Sequence, residues 1–220
     1  MNLSIKDILY RIRFFFIPYL ILICGCLGIK LLYSREAIYF AVNGIHNAGA
    51  DFIAPYITDI GEGVTIVILS IIIRFYNYRK SVLLFSSYAV TAILAQIIKH
   101  LINAPRPKLY FASQLKQMYF VKGVEIYSYN SFPSGHTVTA FSAAVVLTYI
   151  VKNKNWGVFF LIVAVLVGYS RMYLSEHFFE DVTAGSVLGV MITVFWIYFF
   201  EHKKFMHGER WEKGFLRKRK

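Results

Sequence analysis

The stretch Tyr129–Ala140, YNSFPSGHTVTA, decides how the chain is read. An apolar run over 136–151 starts inside it, and the entrance to that run holds Pro133, Ser134, Gly135 and His136 in succession. Capping accounts for the first three, because Pro and Ser favour a helix start. A His at the mouth of an apolar segment needs a further reason.

Working outward, the stretch sits in a chain of 220 residues that is 57% hydrophobic and 18% aromatic, with a mean hydropathy of +0.53. A soluble domain of this length cannot cover so much apolar surface, so lipid is the solvent the composition calls for. Windows approaching the ~20 apolar residues needed to cross a bilayer occur at about 14–33, 58–77, 82–102, 136–151, 156–173 and 178–200. The expectation is an all-α integral membrane protein with six spans. No Gly-, Pro- or Ser-rich linker and no internal repeat divides it, so 1–220 reads as one domain.

The basic residues orient these spans. With the amino terminus in the cytoplasm, the inner segments hold Lys6, Arg11, Arg13, Arg74, Arg79, Lys80, Lys152, Lys154 and the basic tail 201–220. The outer segments hold fewer: Arg35, Lys99, Arg106, Lys108, Lys116, Lys122 and Arg171, with Lys30 inside the first span. That bias places both termini in the cytoplasm. Residues 1–13 mix apolar and basic positions and read as an interfacial amphipathic segment. The net charge of +12 follows from topology and attraction to anionic headgroups, which excludes nucleic acid as the partner. Cys24 and Cys26 do not share a helix face, so no disulfide or metal site is expected. Ile23–Cys26 is similar to a lipoprotein cleavage box, but the apolar run continues toward Tyr33 and favours a retained anchor.

Gly185 and Gly189, in GSVLG, lie four apart and read as a close-packing helix face. The inner loops RFYNYRK and VKNKNW are short, so the helices they join should be antiparallel neighbours. The first outer connection covers 34–57 and the longest 103–135, the latter rich in aromatics that suit an interfacial belt or a lid over the substrate.

Ionisable residues near apolar spans are costly and call for explanation. Here they gather at helix ends that the charge bias puts on one side. Lys99 and His100 close the third span, with Arg106 beyond Pro105; Ser134 and His136 open the fourth. Ser170 and Arg171 end the fifth, and His177 and Asp181 open the sixth. Alone, each has a plain explanation as a cap, an interfacial residue or a snorkelling side chain. Together they make an anion pocket, since guanidinium forks suit phosphate oxygens and a helix N-terminus favours an anion. His177 and Asp181, four apart, share a helical face, so the carboxylate can fix one imidazole tautomer. That arrangement suits His177 as nucleophile and His136 as acid and base.

Lys99-x6-Arg106-Pro107, Pro133-Ser134-Gly135-His136 and Ser170-Arg171-x5-His177-x3-Asp181 resemble the three signature motifs of the type 2 phosphatidic acid phosphatase (PAP2) superfamily, in the family's order. The resemblance implies the six-helix bundle shared by acid phosphatases and vanadium haloperoxidases, and a membrane lipid phosphatase without cofactor or metal. On it, His177 forms a phosphohistidine, Asp181 orients it, and His136 protonates the leaving oxygen and activates water. Lys99, Arg106, Ser134, Gly135 and Arg171 hold the phosphoryl oxygens. The implied partners are the bilayer and a phosphorylated lipid: undecaprenyl diphosphate, phosphatidylglycerophosphate, phosphatidic acid or lipid A. The implied location is a bacterial inner membrane with the site on the periplasmic face. A lipid phosphotransferase and a non-catalytic lipid-binding or transport protein are the competing readings. Outside the motifs, Asp59 and Glu62 lie near the outer end of the second span as possible headgroup contacts.

Overall fold

The computed structural model describes residues 3–216; residues 1–2 of the amphipathic segment and 217–220 of the basic tail lie outside the described residues. Every described element is helical. In chain order the α-helices are α1 (Ile5–Arg11), α2 (Arg13–Leu32), α3 (Arg35–Asn43), α4 (Ala48–Asp59), α5 (Gly63–Arg74), α6 (Tyr78–Ile102), α7 (Pro107–Tyr110), α8 (Gly135–Ile150), α9 (Trp156–Tyr173), α10 (Phe179–Glu201) and α11 (Glu209–Glu212), with short 3-10 helices at Ala112–Gln117 and Lys204–His207.

Four of these are long and apolar enough to cross a membrane: α2, α6 with its continuation to Tyr110, α9 and α10. The other two expected spans look different. The window 58–77 is no single straight helix: α4 and α5 meet at a 57° bend and are long and apolar enough to cross a membrane only when taken together. Gly61 lies at the bend, where a Cβ would come within 2.8 Å of the His136 carbonyl oxygen. The bend therefore presses backbone directly onto the start of α8. The window 136–151 forms α8, of 16 residues. At about 1.5 Å per residue it is shorter than the ~30 Å of hydrocarbon. It needs no lipid-matching length, because Val138, Thr139, Ala140, Phe141, Ser142, Val145 and Val146 on several of its faces are all buried by other helices.

α8 is the axis of the bundle, with α6, α9 and α10 packed around it. GSVLG supplies the close approach expected of it. A Cβ on Gly189 would lie 2.6 Å from the Val138 carbonyl oxygen, and one on Gly185 would lie 2.9 Å from that of Ser134. Between helices in lipid, where apolar burial drives little, such backbone contact is a main source of cohesion. Thr193 Oγ1 adds a buried hydrogen bond to Ser142 Oγ at 2.7 Å.

The flanking segments are more ordered than their composition suggests. α1 starts at a capping box formed by Ser4 and Asp7, and Ile8 within it and Ile12 just after it are completely buried in the main core. The 34–57 connection folds as α3 and α4, capped by Ser34 and Asn47. In the tail, Lys213 O accepts from the Tyr78 amide at 3.0 Å, and Leu216 N donates to Phe75 O at 2.9 Å. Lys30, isolated within an apolar helix, pairs with Glu180 of α10. The aromatic loop 103–135 is not a free flap: Phe111 and Met118 pack with Tyr39 and Phe178 as a second small core.

Candidate active site

Three breaks in the bundle face one another: the end of α6, the start of α8 and the turn between α9 and α10. Between them and the α4–α5 bend lies a cavity of about 390 Å³ whose lining includes Glu62, Lys99, Arg106, Gly135, His136 and His177. Ser134, Arg171 and Asp181 are not part of that lining but are buried beside it: Ser134 precedes Gly135, Arg171 O accepts from the His177 amide, and Asp181 lies 3.6 Å from His177. Asp59 is exposed on the last turn of α4 and does not join it.

Each break has a local cause. α6 stops at Asn103, which takes the left-handed conformation at φ 44° and is followed by Pro105. α8 starts at Ser134, whose side chain makes no capping bond. Its Oγ instead accepts from Thr137 Oγ1 at 2.9 Å, so the first amides of α8, which lack helical acceptors, have no side-chain cap. A Cβ on Gly135 would stand 3.6 Å from Lys99 Nζ, in the space an anion between the helix end and the ammonium would fill. The turn after α9 folds back on itself: the amides of Glu176 and His177 both donate to Arg171 O, at 3.0 and 3.2 Å. Ser175 sits there at φ +59°, a conformation that costs an L-residue about 1 kcal/mol or more. Its Oγ is held by Tyr39 OH and Asn43 Nδ2, each at 2.9 Å.

His177 is 1% exposed, and its Nδ1 lies 3.6 Å from Asp181 Oδ2. That oxygen is already occupied: Ser131 Oγ donates to it at 2.5 Å and the Phe178 amide at 2.8 Å. Asp181 is thus fixed by two donors beside an imidazole that it attracts but does not yet bond. Burial, then the nearby Arg106, Arg171 and Lys99, hold the His177 pKa well below its ordinary 6.5. That environment favours the neutral imidazole. His136 Nε2 lies 3.7 Å from Glu62 Oε1.

The arginines are fixed before any ligand arrives. Arg106 Nε donates to Tyr129 O at 2.9 Å, and Arg171 Nη1 donates to Thr58 Oγ1 at 2.8 Å. Both guanidinium groups also pair with Glu176. Sequence reasoning passed over Glu176, Ser131 and Thr58. Glu176 was legible as an acid directly beside the proposed nucleophile, and Ser131 lies inside the opening stretch; Thr58 carried no signal. Among the described residues, no three His, Cys, Asp or Glu side chains converge as metal ligands. A wider cavity, of about 760 Å³, lies away from this chemistry between α5, α6 and α11, among residues such as Val67, Ile71, Phe85 and Trp211.

The PAP2 superfamily model matches residues 80–205, more than half of the chain and all three of these breaks. The chain belongs to the PAP2 superfamily. Phosphatidylglycerophosphatase B of Bacillus subtilis is 31% identical over 164 residues, covering 69% of this chain and 70% of that protein. The undecaprenyl-diphosphatase of Sulfolobus acidocaldarius is 30% identical over 137 residues, covering 60% and 61%. In structure, the transmembrane PAP2-type phosphatidylglycerolphosphate phosphatase of B. subtilis superposes with a TM-score of 0.65 at 28% identity, covering 89% of this chain and 98% of that one. These PAP2 relatives are lipid phosphatases, which are phosphoric ester hydrolases, and membership places this chain among such enzymes. Its apolar helices and these relatives make it an integral membrane protein.

Proposed function

We propose that this PAP2 protein hydrolyses the phosphate of a membrane lipid through a phosphohistidine, with no metal. The observation that carries the proposal is that two histidines, two cations and an uncapped helix N-terminus line one cavity. His177, neutral and with Nδ1 turned to Asp181, presents Nε2 to phosphorus. As the N–P bond forms, the P–O bond to the lipid breaks, and His136 gives its proton to the leaving oxygen. His136 then takes a proton from water, whose oxygen attacks phosphorus and releases inorganic phosphate and free His177. Lys99, Arg106, Arg171 and the Gly135 amide carry the charge that spreads over the equatorial oxygens, which is where phosphoryl transfer needs stabilisation.

The lipid tail has a path. Tyr88, Ala92 and Gln96 line both the catalytic cavity and an open groove that continues over Ile93, Ile97 and Leu101 of α6. A substrate entering from the bilayer would lay its tail along that face. In the topology we infer, α2, the α4–α5 pair, α6, α8, α9 and α10 make six crossings with both termini cytoplasmic, which would put the cavity on the periplasmic side of a bacterial inner membrane. The basic residues near the opposite end of α8 support that orientation.

The test is phosphate release by the purified protein in detergent and chelator, across phosphatidylglycerophosphate, phosphatidic acid, undecaprenyl diphosphate and lipid A. Release from at least one, lost in His177→Ala, is expected. Activity that chelator abolishes and a divalent ion restores would overturn the metal-free step. Glu62→Gln should change the rate or the headgroup preference a few-fold; equal values for both would remove Glu62 from the site.

A further inference from the structure

Glu176 is the most deeply placed acid next to the cavity, 1% exposed and adjacent in sequence to His177. Its Oε2 pairs with Arg106 Nη1 and lies 3.2 Å from Arg171 Nη2. Its backbone carbonyl also accepts from Arg106 Nη1 at 3.5 Å. The second carboxylate oxygen, Oε1, is buried and has no hydrogen-bond partner among the described residues. A buried acid with one oxygen unpaired is costly, so its presence in this turn calls for a reason.

Each arginine is held at two separate edges. Tyr129 O and Glu176 fix Arg106, and Thr58 Oγ1 and Glu176 fix Arg171. A guanidinium has five donors in a rigid fork, so two such bonds lock its plane while leaving further donors for a ligand. Among the described residues, Glu176 is the partner common to both. It also subtracts a charge. Lys99, Arg106 and Arg171 face an anion with the α8 amides, and Glu176 and Asp181 oppose them. Without Glu176, that field would suit a more highly charged headgroup.

We propose that Glu176 is a positioning residue whose carboxylate holds Arg106 and Arg171 in register and tunes the pocket to a single phosphate monoester in preference to a diphosphate. This rests on reading the cavity as the phosphate pocket. At the few-ångström separation between these groups, one unit of charge alters binding of a multivalent anion by about tenfold or more, even when well screened. Removing the charge therefore strengthens anion binding while loosening the geometry that turnover needs.

The experiment uses the full-length protein in detergent. Binding of inorganic phosphate and of pyrophosphate is measured by calorimetry, and kcat and KM are measured on whichever lipid phosphate the wild type turns over. In Glu176→Gln, pyrophosphate should bind about tenfold more tightly and phosphate by a smaller factor, with kcat about tenfold or more lower and KM not raised. Weaker binding of both anions, as a merely structural role would give, overturns the proposal; so does an unchanged ratio of the two affinities, or a wild type that binds neither. If Glu176→Gln does not fold, Glu176→Asp serves: it keeps the charge and should keep the wild-type affinity ratio, and a ratio shifted toward pyrophosphate counts against the proposal. Binding that shifts as stated in a protein that releases no phosphate from any lipid leaves this inference standing and sinks the phosphatase reading instead.

Discussion

At its C-terminal end α8 finishes among cations: Lys154 Nζ donates to the carbonyls of Thr148, Tyr149 and Val151 at 3.0, 2.8 and 2.6 Å. Lys80 Nζ reaches Ile150 O at 3.0 Å and Arg11 Nε reaches Tyr149 O at 3.1 Å. At the N-terminal end, three cations gather again: Lys99, Arg106 and Arg171. The two groups are chemically alike, but the helix gives them opposite surroundings. Carbonyls and the negative end of the dipole welcome charge at one end; open amides and the positive end of the dipole oppose it at the other. One end is a structural cap, complete as it stands. The other carries a surplus of positive potential that Glu176 and Asp181 offset only in part, and that surplus is what a phosphate would relieve.

The sharpest way to break this comparison is to ask whether the N-terminal end does chemistry at all. His177→Asn should abolish phosphate release, by about 10⁴-fold or more. The same variant tests the buried neutral imidazole. Because the folded-state pKa of His177 lies well below 6.5, the unfolded chain takes up a proton below about pH 6.5 that the folded protein refuses. That difference removes stability as pH falls, at up to about 1.4 kcal/mol per pH unit. Thermal unfolding scans between pH 7 and 5 should show a shallower acid loss in His177→Asn than in wild type; parallel curves would refute the buried neutral state.

Lys99→Met sharpens the contrast from the same end. It should lower kcat/KM by about 10²–10³-fold, as loss of one transition-state charge does, while leaving the melting temperature without phosphate equal or higher. Lys154→Met, at the other end, should do the reverse. Its activity should stay within about twofold, and its stability should fall by about 1–2 kcal/mol, the upper range for a cation at a partly buried helix C-terminus. If both variants lose stability equally, the two ends are not electrostatic opposites. Among the site variants, the smallest effect expected here is that of Ser131→Ala. Losing the donor to Asp181 Oδ2 should lower kcat by several-fold with little change in KM, because Ser131 acts only through the carboxylate that orients His177.

Much of the site was legible along the chain. Lys99, Arg106, Ser134, Gly135, His136, Arg171, His177 and Asp181 were picked out as ionisable or uncapped groups at helix ends, and the fold gathers them at one end of the bundle, in or beside one cavity. Periodicity and hydropathy likewise placed α2, α6, α8, α9 and α10 within a few residues of their observed bounds. Composition also settled the solvent: a chain this apolar belongs in a bilayer.

Only the tertiary structure decided the rest. It bent 58–77 at Gly61 because backbone had to reach His136, and it allowed α8 to be short because neighbouring helices, not lipid, surround it. It turned Phe111 and Met118 of the long loop into a small core with Tyr39. It set Glu176 between two arginines that lie five and seventy positions away in sequence. Hydropathy reports what a segment's surface prefers, so it can find helices and flag costly charges. Which buried groups meet, and at what distance, depends on how the helices pack, and no single segment carries that information.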